Sequence, residues 1–494
     1  MRQFEILFVV SNFWALLAFA IGPFARLLSK RIPPIVLILT FGMQLFFEGA
    51  RWQLAPAYLL TFILLVISLP MGRLRDRSVD APNPRHSIAK LVVGSFGVLA
   101  LSAAVSLSLL FPVFRFELPT GRYAIGTVTY HWVDNARSEV FSSDPKTRRE
   151  MMVQIWYPAV KETTSPYAQY IEDADALGSA QANLHGWPSF VLGHLKHIKS
   201  NAKVGSPIAE DHPNFPILIF LEGITGYRQM NTFQVEHLVS RGYIVVAVDQ
   251  PYVAATVVFP DGHQIAGWSK DQMNPLIQQS ITAIQSAPSL NGITFKVGII
   301  PYFAQDVVFL LDQLDVLNKG DSADFFKARL DLNRIGIFGV SLGGIVVGEA
   351  CHLDRRLRAC LIMDAPMSSS VVHDGLQQPC MWISRNADTM RNEGWTPFDV
   401  DQHVRTMRQV FDRSNKDAYF IEVAGLFHAN LTDIPYFSPL LQRAGIIGTI
   451  DPERAHKIIS TYTTAFFDRY LAGPPSTVLD VGGERFREVK LETR

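Results

Sequence analysis

A serine held between glycines is the residue of this chain best suited to nucleophilic chemistry. Ser341 lies in the pattern Gly-Val-Ser-Leu-Gly at 339–343, after the apolar stretch 335–338 and before the small and apolar run 344–350. A strand, a tight turn and a helix with a serine at the apex form a nucleophile elbow. Glycines are needed there because side chains on either flank would collide with the strand or the helix. The pattern predicts a serine hydroxyl held out over the end of a sheet.

A serine hydroxyl needs a base to act at neutral pH, and the base needs an acid to orient it. In this fold the chain order is serine, acid, histidine. His428 follows the predicted strand 418–423 on a glycine-containing loop, from which it can reach the serine. Two acids follow predicted strands: Asp364 comes after the first strand beyond the elbow, and Asp388 after the next. Chain order alone leaves both acids open.

Backbone N–H groups must stabilise the negative charge that develops on the ester carbonyl oxygen. Leu342 follows the serine at the N-terminus of the predicted helix, so its N–H is the first candidate. The loop 222–226 follows an earlier predicted strand, and we expect Ile224 in this loop to supply the second N–H. The predicted reaction needs neither a metal nor a cofactor. His194 and His197 have no third ligand nearby in the sequence and do not predict a metal site.

These motifs resemble the platelet-activating-factor acetylhydrolases of the plasma and intracellular isoform II type, which are serine-dependent esterases of the phospholipase A class. The resemblance extends from about Pro119 to Ala472. Short stretches that are weak singly and specific together carry it: 119–126, 152–158, 221–228, 240–248, 341–344, 361–365 and 425–430. Ser-Leu-Gly-Gly at 341–344 is similar to the family's Ser-Phe-Gly-Gly, and Gly-Leu-Phe-His-Ala-Asn at 425–430 to its Gly-Ser-Val-His-Gln-Asn.

The resemblance implies an α/β-hydrolase fold with a mostly parallel sheet and a phospholipid substrate with a short or oxidised sn-2 acyl group. It favours Asp364 over Asp388, because Leu-Ile-Met-Asp-Ala at 361–365 is similar to the Leu-Asp-Ala stretch that holds the family's acid. The chain departs from the family at Glu222, where the family has a histidine before the oxyanion glycine. A carboxylate there either repels the oxyanion or turns away and pairs with a base such as Arg228.

The front of the chain is unusually apolar. Apolar runs long enough to cross a bilayer, which takes about 20 residues, lie at 6–25, 54–71 and 91–114. A shorter run at 35–47 is long enough only if 32–34 is included. The sequence therefore predicts an integral-membrane helical module of about four spans, or three if the shorter run does not cross. Buried core helices of a soluble domain are the alternative.

Basic residues in short loops mark the cytoplasmic side of a membrane protein. The loop between the second and third runs carries only Arg51. The other two loops carry the remaining basic residues, which are Arg26, Lys30 and Arg31 in one and Arg73, Arg75, Arg77, Arg85 and Lys90 in the other. Four spans then place the N-terminus and everything after Phe114 outside the cytoplasm, on the periplasmic or cell-surface side. The first run lacks a small-residue cleavage site, which indicates an anchor rather than a removed signal peptide.

The predicted domains are a transmembrane helical module at 1–115, an α/β-hydrolase catalytic domain at 116–475 and a C-terminal tail at 476–494. The formal net charge of +0 gives no indication of nucleic-acid binding. The segment 184–197 is rich in Trp, Phe and Leu. It is predicted either to admit a lipid acyl chain or to form a lid packed on the core.

The chain has three cysteines, Cys351, Cys360 and Cys380, which do not suggest a disulfide scaffold. We expect them to be buried as small hydrophobic residues. They show no metal-binding pattern.

The predicted reaction is ester hydrolysis through a covalent acyl-enzyme, with Ser341 as nucleophile, His428 as base and Asp364 as the acid that fixes the histidine tautomer. We expect a membrane-anchored serine hydrolase that acts on a lipid or another ester. One alternative is a general carboxylesterase, lipase or polyester hydrolase. Another is a non-catalytic membrane-anchored binding protein, against which the complete set of serine, acid and histidine argues. The sequence does not indicate an oligomeric state.

Overall fold

The computed structural model describes residues 1–20, 32–74, 84–320, 325–414, 416–472, 477–480 and 485–494. Within these residues, four α-helices precede the first strand: α1 (Gln3–Ala20), α2 (Ile32–Glu48), α3 (Ala55–Leu74) and α4 (Pro84–Leu110). A short 3-10 helix at Trp52–Leu54 joins α2 to α3. We call these four helices the helical module, and the residues that follow it the sheet domain.

Apolar side chains cover the outside of the helical module, and its interior holds polar side chains beside an apolar cluster. Phe46 and Leu99 are 83% and 70% exposed, whereas Glu5, Asn12 and Gln44 are each 0% exposed. A bundle that folds in water exposes far less large apolar surface, because burial of apolar surface drives its folding.

Among the described residues, two helices are long and apolar enough to cross a membrane, judged by length and composition alone: Gln3–Ala20 and Lys90–Leu110. The apolar helical stretches Ile32–Glu48 and Trp52–Ser68 are shorter. Most of the basic residues that predict the topology lie outside the described residues, namely Arg26, Lys30, Arg31, Arg75 and Arg77, as do the side chains of Arg73 and Arg85.

Ionic hydrogen bonds join the helices at one end of the module. Arg51 is buried, and its guanidinium donates to the Glu5 carboxylate of α1 at 2.9 Å and to the Phe111 carbonyl after α4 at 2.6 Å. The Glu48 carboxylate at the end of α2 accepts from the N–H groups of Phe4 and Glu5 at 2.9 and 2.8 Å. The start of α1, the α2–α3 connection and the end of α4 therefore lie together, on the side of the sheet domain.

The strands of the described residues are β1 (Ala124–Ser138), β2 (Arg148–Ala159), β3 (Tyr167–Gln169), β4 (Lys199–Val204), β5 (Phe215–Leu221), β6 (Ile244–Asp249), β7 (Thr256–Val258), β8 (Gln264–Ala266), β9 (Ser289–Leu290), β10 (Ile293–Thr294), β11 (Leu330–Val340), β12 (Leu357–Met363), β13 (Cys380–Ser384), β14 (Ala418–Val423) and β15 (Val489–Thr493). The helices of the sheet domain are α5 (Ala174–Leu184), α6 (Thr232–Val239), α7 (Lys270–Ile281), α8 (Ile300–Lys319), α9 (Leu342–Leu353), α10 (Ser369–Asp374), α11 (Ala387–Asn392), α12 (Pro397–Arg413) and α13 (Pro452–Phe467).

The described strands form an 11-stranded sheet in the order β15-β14-β13-β12-β11-β5-β6-β2-β1-β4-β3. The central strands from β14 to β6 pair in parallel, as do β1 and β4. The pairs β14–β15, β6–β2, β2–β1 and β4–β3 are antiparallel. Successive residues of β5 point into different apolar cores, with Ile217 and Ile219 in one and Leu218 and Phe220 in the other. A mostly parallel sheet covered on both faces matches the predicted α/β class.

Part of the predicted C-terminal tail belongs to the sheet. β15 pairs antiparallel with β14 so that Thr493 lies opposite Tyr419 and Val489 lies opposite Val423. The sequence Val-Lys-Leu-Glu-Thr alternates apolar and polar residues, as an edge strand does. Five alternating residues are a weak signal, which is why the sequence alone gave a tail.

The expectation of three free cysteines is wrong for two of them. Cys351 near the end of α9 and Cys360 in β12 form a disulfide, whereas Cys380 is a free, buried thiol. The chain turns back after α9 directly into β12, which brings the two Cα atoms to 6.7 Å. That separation is one a disulfide can span. The sequence spacing of nine residues carries no such information, because it does not reveal the turn.

The segment 184–197 lies between the helical module and the sheet domain. Leu192 and Leu195 are buried in an apolar cluster of the sheet domain. The indole N–H of Trp52, in the helical module, donates to the carbonyl oxygen of Val191 at 3.2 Å. The segment thus packs on the core through its leucines and contacts the helical module through both backbone and side chains.

Candidate active site

The loop between β11 and α9 holds Ser341 in a strained conformation. Its φ is 59° and its ψ is −125°, in the region that favours glycine. Its N–H donates to the carbonyl oxygen of Met363 at 3.0 Å, which ties the serine to the end of β12. A Cβ at Gly343 would lie 2.3 Å from the carbonyl oxygen of Leu221, so only glycine lets the elbow approach β5 this closely.

The loop after β5 runs beside the serine. A Cβ at Gly223 would lie 3.0 Å from the Cβ of Ser341 and 3.6 Å from its Oγ. Thr225, with a φ of 59°, donates its N–H to a carbonyl oxygen of the loop after β6 at 2.6 Å, which fixes the turn. Within the described part of the chain, the N–H groups of Leu342 and Ile224 donate to no other group. Both predicted oxyanion donors are therefore free to bind a ligand oxygen.

Asp364 and His428 are in direct contact. His428 Nδ1 lies 2.6 Å from Asp364 Oδ2, which sets Nδ1 as the protonated nitrogen that donates to the carboxylate. Asp364 is 1% exposed and has a φ of 48°, so the chain turns sharply at the end of β12. Ser384 Oγ donates to the other carboxylate oxygen at 2.8 Å. These contacts fix the carboxylate in one orientation.

The surroundings keep the aspartate charged and the histidine neutral. Burial alone would raise the pKa of Asp364, but the Arg385 charge and the hydrogen bonds from His403 and His428 hold it well below its usual range. Burial lowers the pKa of His428 below 6.5, and the nearby Arg385 adds to this, although the Asp364 carboxylate opposes it. A neutral imidazole at pH 7 can accept a proton at Nε2.

The structure separates the two candidate acids. Asp388 lies in the first turn of α11, where its side chain is 87% exposed and pairs with Arg391 at 2.6 Å. Asp364 contacts His428 instead. Among the described residues, Asp388 makes no contact with His428.

A second layer of charged and aromatic side chains was not found from the sequence. Arg385 is buried, and its Nε lies 2.9 Å from Asp364 Oδ2. Its guanidinium pairs with Glu393 and lies 4.5 Å from the ring centre of Trp395. Glu393 also accepts from the His428 backbone N–H at 3.3 Å. The available signal is that Arg385 directly follows β13, at the carboxyl edge of the sheet where Asp364 also lies.

Glu222 is buried, and its surroundings favour its protonated form. One carboxyl oxygen accepts from the N–H of Gln250 at 2.9 Å, and the other has no hydrogen-bond partner among the described residues. Burial, with a contribution from Asp249, raises the pKa of Glu222 well above its usual value. Of the two alternatives, pairing with Arg228 does not occur, because Arg228 bonds to Asp249. The raised pKa of Glu222 disfavours a negative charge beside the oxyanion loop.

Within the described residues, no group of three or more His, Cys, Asp or Glu side chains could hold a metal ion. His194 and His197 have separate partners: His194 Nδ1 contacts the Val191 carbonyl at 3.3 Å, and His197 Nε2 contacts the Ala50 carbonyl at 3.3 Å. Both lie where the helical module meets the sheet domain.

Comparison with known proteins yields esterases. Residues 115–275 and 307–473 match the family described as "Platelet-activating factor acetylhydrolase, isoform II". A platelet-activating factor acetylhydrolase from Cavia porcellus is 23% identical over 347 residues, which are 66% of this chain and 73% of that protein. A probable 1-alkyl-2-acetylglycerophosphocholine esterase from Arthroderma benhamiae is 23% identical over 416 residues, which are 79% of this chain and 95% of that protein.

A solved structure also resembles the chain. Ferulic acid esterase from Streptomyces cinnamoneus superposes with a TM-score of 0.60 at 26% sequence identity. The superposition covers 77% of this chain and 99% of that one.

Proposed function

Because this chain belongs to the platelet-activating factor acetylhydrolase isoform II family and is a serine ester hydrolase, we propose that it removes short or oxidised sn-2 acyl groups from phospholipids. The family match contains Ser341, Asp364 and His428. The observation that carries the proposal is the 2.6 Å contact between His428 and Asp364 at the same sheet edge as the strained serine.

The reaction proceeds through a covalent acyl-enzyme. Neutral His428 takes the proton of Ser341 as the serine oxygen attacks the ester carbonyl carbon. His428 then gives this proton to the leaving alcohol of the lysophospholipid, and afterwards activates the water that releases the acyl group. Asp364 accepts from Nδ1 throughout, so Nε2 stays the nitrogen that exchanges protons.

The N–H groups of Leu342 and Ile224 hold the oxyanion. Their freedom from other hydrogen bonds in the described residues supports this role. Leu342 is the first residue of α9, so the positive end of the helix dipole adds to the stabilisation. The raised pKa of Glu222 behind the loop favours its neutral form, which would leave this stabilisation intact.

The helical module anchors the enzyme in a membrane with four spans. Its apolar outer surface and its polar interior support this placement, because lipid solvates the first and neighbouring helices satisfy the second. The start of α1 and the end of α4 lie at the same end of the module, joined through Arg51, which an even number of crossings requires. The sheet domain follows α4 at that end.

The sheet domain lies outside the cytoplasm. The distribution of basic loop residues predicts that side. The disulfide between Cys351 and Cys360 supports it, since disulfides persist in oxidising compartments and not in the cytoplasm. An enzyme anchored there meets lipid esters at the outer bilayer surface.

A second substrate class has support from one observation. The ferulic acid esterase superposes over 99% of its chain, so the same fold accommodates esters other than phospholipids. A general carboxylesterase would release acid from small soluble esters and leave diacyl phospholipids unchanged. Release of lysophospholipid from a short-chain sn-2 phospholipid, measured by mass spectrometry, distinguishes the two.

A fluorophosphonate probe tests the nucleophile. The full chain in native membranes should be labelled at Ser341, and Ser341→Ala should abolish labelling. Ser165→Ala, a matched change in a loop of the sheet domain, should leave it intact. Labelling that survives Ser341→Ala would show that another residue is the nucleophile.

Reporter fusions in a bacterial host test the topology. Alkaline phosphatase, which folds only outside the cytoplasm, should be active when fused after Arg122. A reporter that works only in the cytoplasm should be active when fused near Arg77. The reverse pattern would place the sheet domain in the cytoplasm and remove one span.

A further inference from the structure

A cavity of about 380 Å³ lies where the helical module meets the segment 184–197. Both regions contribute to its wall. The residues that line it include Trp52, Gln53, Asp175, Phe190, His194 and Lys196. The cavity lies at the end of the module where the membrane helices stop. It is separate from Ser341 and from the oxyanion loop, neither of which lines it.

Two buried polar atoms in this wall have no partner among the described residues, namely Gln53 Nε2 and His194 Nε2. The two residues are 0% and 1% exposed. Buried polar groups in folded proteins are nearly always hydrogen-bonded, so this pair calls for a ligand in the cavity.

The hydrogen bond made by the other polar atom of each side chain determines whether its unpaired nitrogen is a donor or an acceptor. Gln53 Oε1 accepts from Arg51 Nε at 3.3 Å, so its Nε2 is a free donor. His194 Nδ1 donates to the Val191 carbonyl at 3.3 Å, so its Nε2 is a free acceptor. Burial and the Arg51 charge lower the pKa of His194 to about 4, which keeps the ring neutral. A fitting ligand accepts from Gln53 and donates to His194.

The mouth of the cavity carries one charge of each sign. Lys196 Nζ lies 3.1 Å from Asp175 Oδ1, and the two side chains are 45% and 71% exposed. Trp52 and Phe190 form an apolar wall, with ring centres 5.4 Å apart and planes at 71°. A zwitterionic group that continues into an apolar tail matches these surroundings.

We propose that this cavity binds the phosphoethanolamine headgroup of an aminophospholipid from the surrounding bilayer. The phosphate accepts from Lys196 and Gln53, and the primary ammonium donates to Asp175 and His194. The acyl chains leave past Trp52 and Phe190. Choline has no N–H group, so a phosphocholine headgroup cannot donate to His194. The inference rests on the membrane placement proposed above and is independent of catalysis.

Calorimetric titration of the full-length Ser341→Ala protein in detergent tests the proposal with three probes: glycerophosphoethanolamine, glycerophosphocholine and inorganic phosphate. Glycerophosphoethanolamine should bind about tenfold or more tightly than either of the others, because only it joins a phosphate to a primary ammonium that donates to both Asp175 and His194. His194→Phe and Gln53→Leu should each weaken its binding about tenfold. His197→Phe is the matched control, since His197 lies at the same junction and does not line the cavity.

Equal binding of the three probes would identify a general phosphate site and overturn the proposal. Absence of binding would mean that the cavity holds only water, and this also overturns it. Thermal unfolding shows whether the His194→Phe variant is folded. If it is not, the binding measured with Gln53→Leu tests the proposal instead. The probes have no carboxylic ester and the protein lacks the Ser341 hydroxyl, so failure here leaves the esterase proposal untouched. Carbonate extraction of membranes separately tests the membrane placement.

Discussion

The helical module and the sheet domain differ in the residues that they bury and expose. Every side chain of β5 is buried, and the cores on both of its faces consist of aliphatic and aromatic side chains. In the module, Asn12 lies inside and Phe46 lies outside. The sheet domain folds by removing apolar surface from water. In the module, interhelical hydrogen bonds act together with a smaller apolar cluster.

Hydrogen bonds between helices pair much of the polar interior of the module. Ser11 Oγ lies 2.7 Å from Thr40 Oγ1, and Thr61 Oγ1 donates to Asn12 Oδ1 at 2.9 Å. Each bond joins two helices, which is what holds a bundle together in lipid. The comparison therefore predicts that polar substitutions damage one region and apolar substitutions damage the other.

Removal of the nucleophile or the base should have the largest effect on activity. It should alter the sheet domain alone and leave the helical module unchanged. Ser341→Ala and His428→Ala should each lower ester turnover about 10³-fold or more, because the serine and histidine act as a unit. Turnover of a p-nitrophenyl ester by the purified full chain measures this. The fraction of protein retained in carbonate-washed membranes should stay unchanged.

Retained turnover in either variant would overturn the mechanism. Loss of membrane association would instead show that the two regions are not independent. Each variant should unfold at a temperature close to that of the unchanged chain. The loss of turnover then comes from the missing catalytic group and not from unfolding.

The two acids should differ by a large factor within the same region. Asp364→Asn should lower kcat roughly 10²–10⁴-fold, because an amide cannot fix the histidine tautomer or stabilise the charged ring. Asp388→Asn should change kcat less than about twofold, since Asp388 is an exposed surface residue. Steady-state kinetics of the pair measures the contrast. The reverse result would place the acid after β13.

The sequence predicted the parts of this molecule that local patterns encode. The elbow at Ser341 and the loop after β14 both follow from short motifs at strand ends. The disulfide between Cys351 and Cys360 did not, because it depends on how α9 turns into β12. The role of Arg385 was equally hidden, since its contact with Asp364 joins neighbouring strands through the sheet order. A contact between residues of different elements can be predicted only once the fold is known, whereas a local motif can be recognised in the sequence alone.

Breaking the ion pair inside the module tests its polar interior. Arg51→Met should destabilise the module by roughly 3 kcal/mol, because it leaves the Glu5 carboxylate buried with only Arg2 as partner. Thermal or denaturant unfolding of the full chain in detergent measures the loss. A paired change, Glu5→Gln with Arg51→Gln, should recover part of it.

The matched control for Arg51 lies in the sheet domain. Lys319 pairs with Asp315 on an exposed helix surface, with side chains that are 74% and 39% exposed. Lys319→Met should change stability by less than about 0.5 kcal/mol, since exposed pairs contribute little. Similar losses in both variants would mean that the Arg51–Glu5 pair is as solvated as a pair on the protein surface.

The smallest expected effect is a shift in the pH dependence of the reaction when the Arg385 charge beside Asp364 and His428 is removed. The base works only when neutral, so the rate rises with pH through the pKa of His428 and is flat above it. Because that pKa lies below 6.5, the acidic limb of kcat/KM should also lie below pH 6.5. The Arg385 charge lowers the pKa of both His428 and Asp364, so Arg385→Met should move the limb to higher pH. Arg385→Lys keeps the charge and should keep the limb. A lowered plateau with an unmoved limb in Arg385→Met would mean that Arg385 only supports the packing around Trp395.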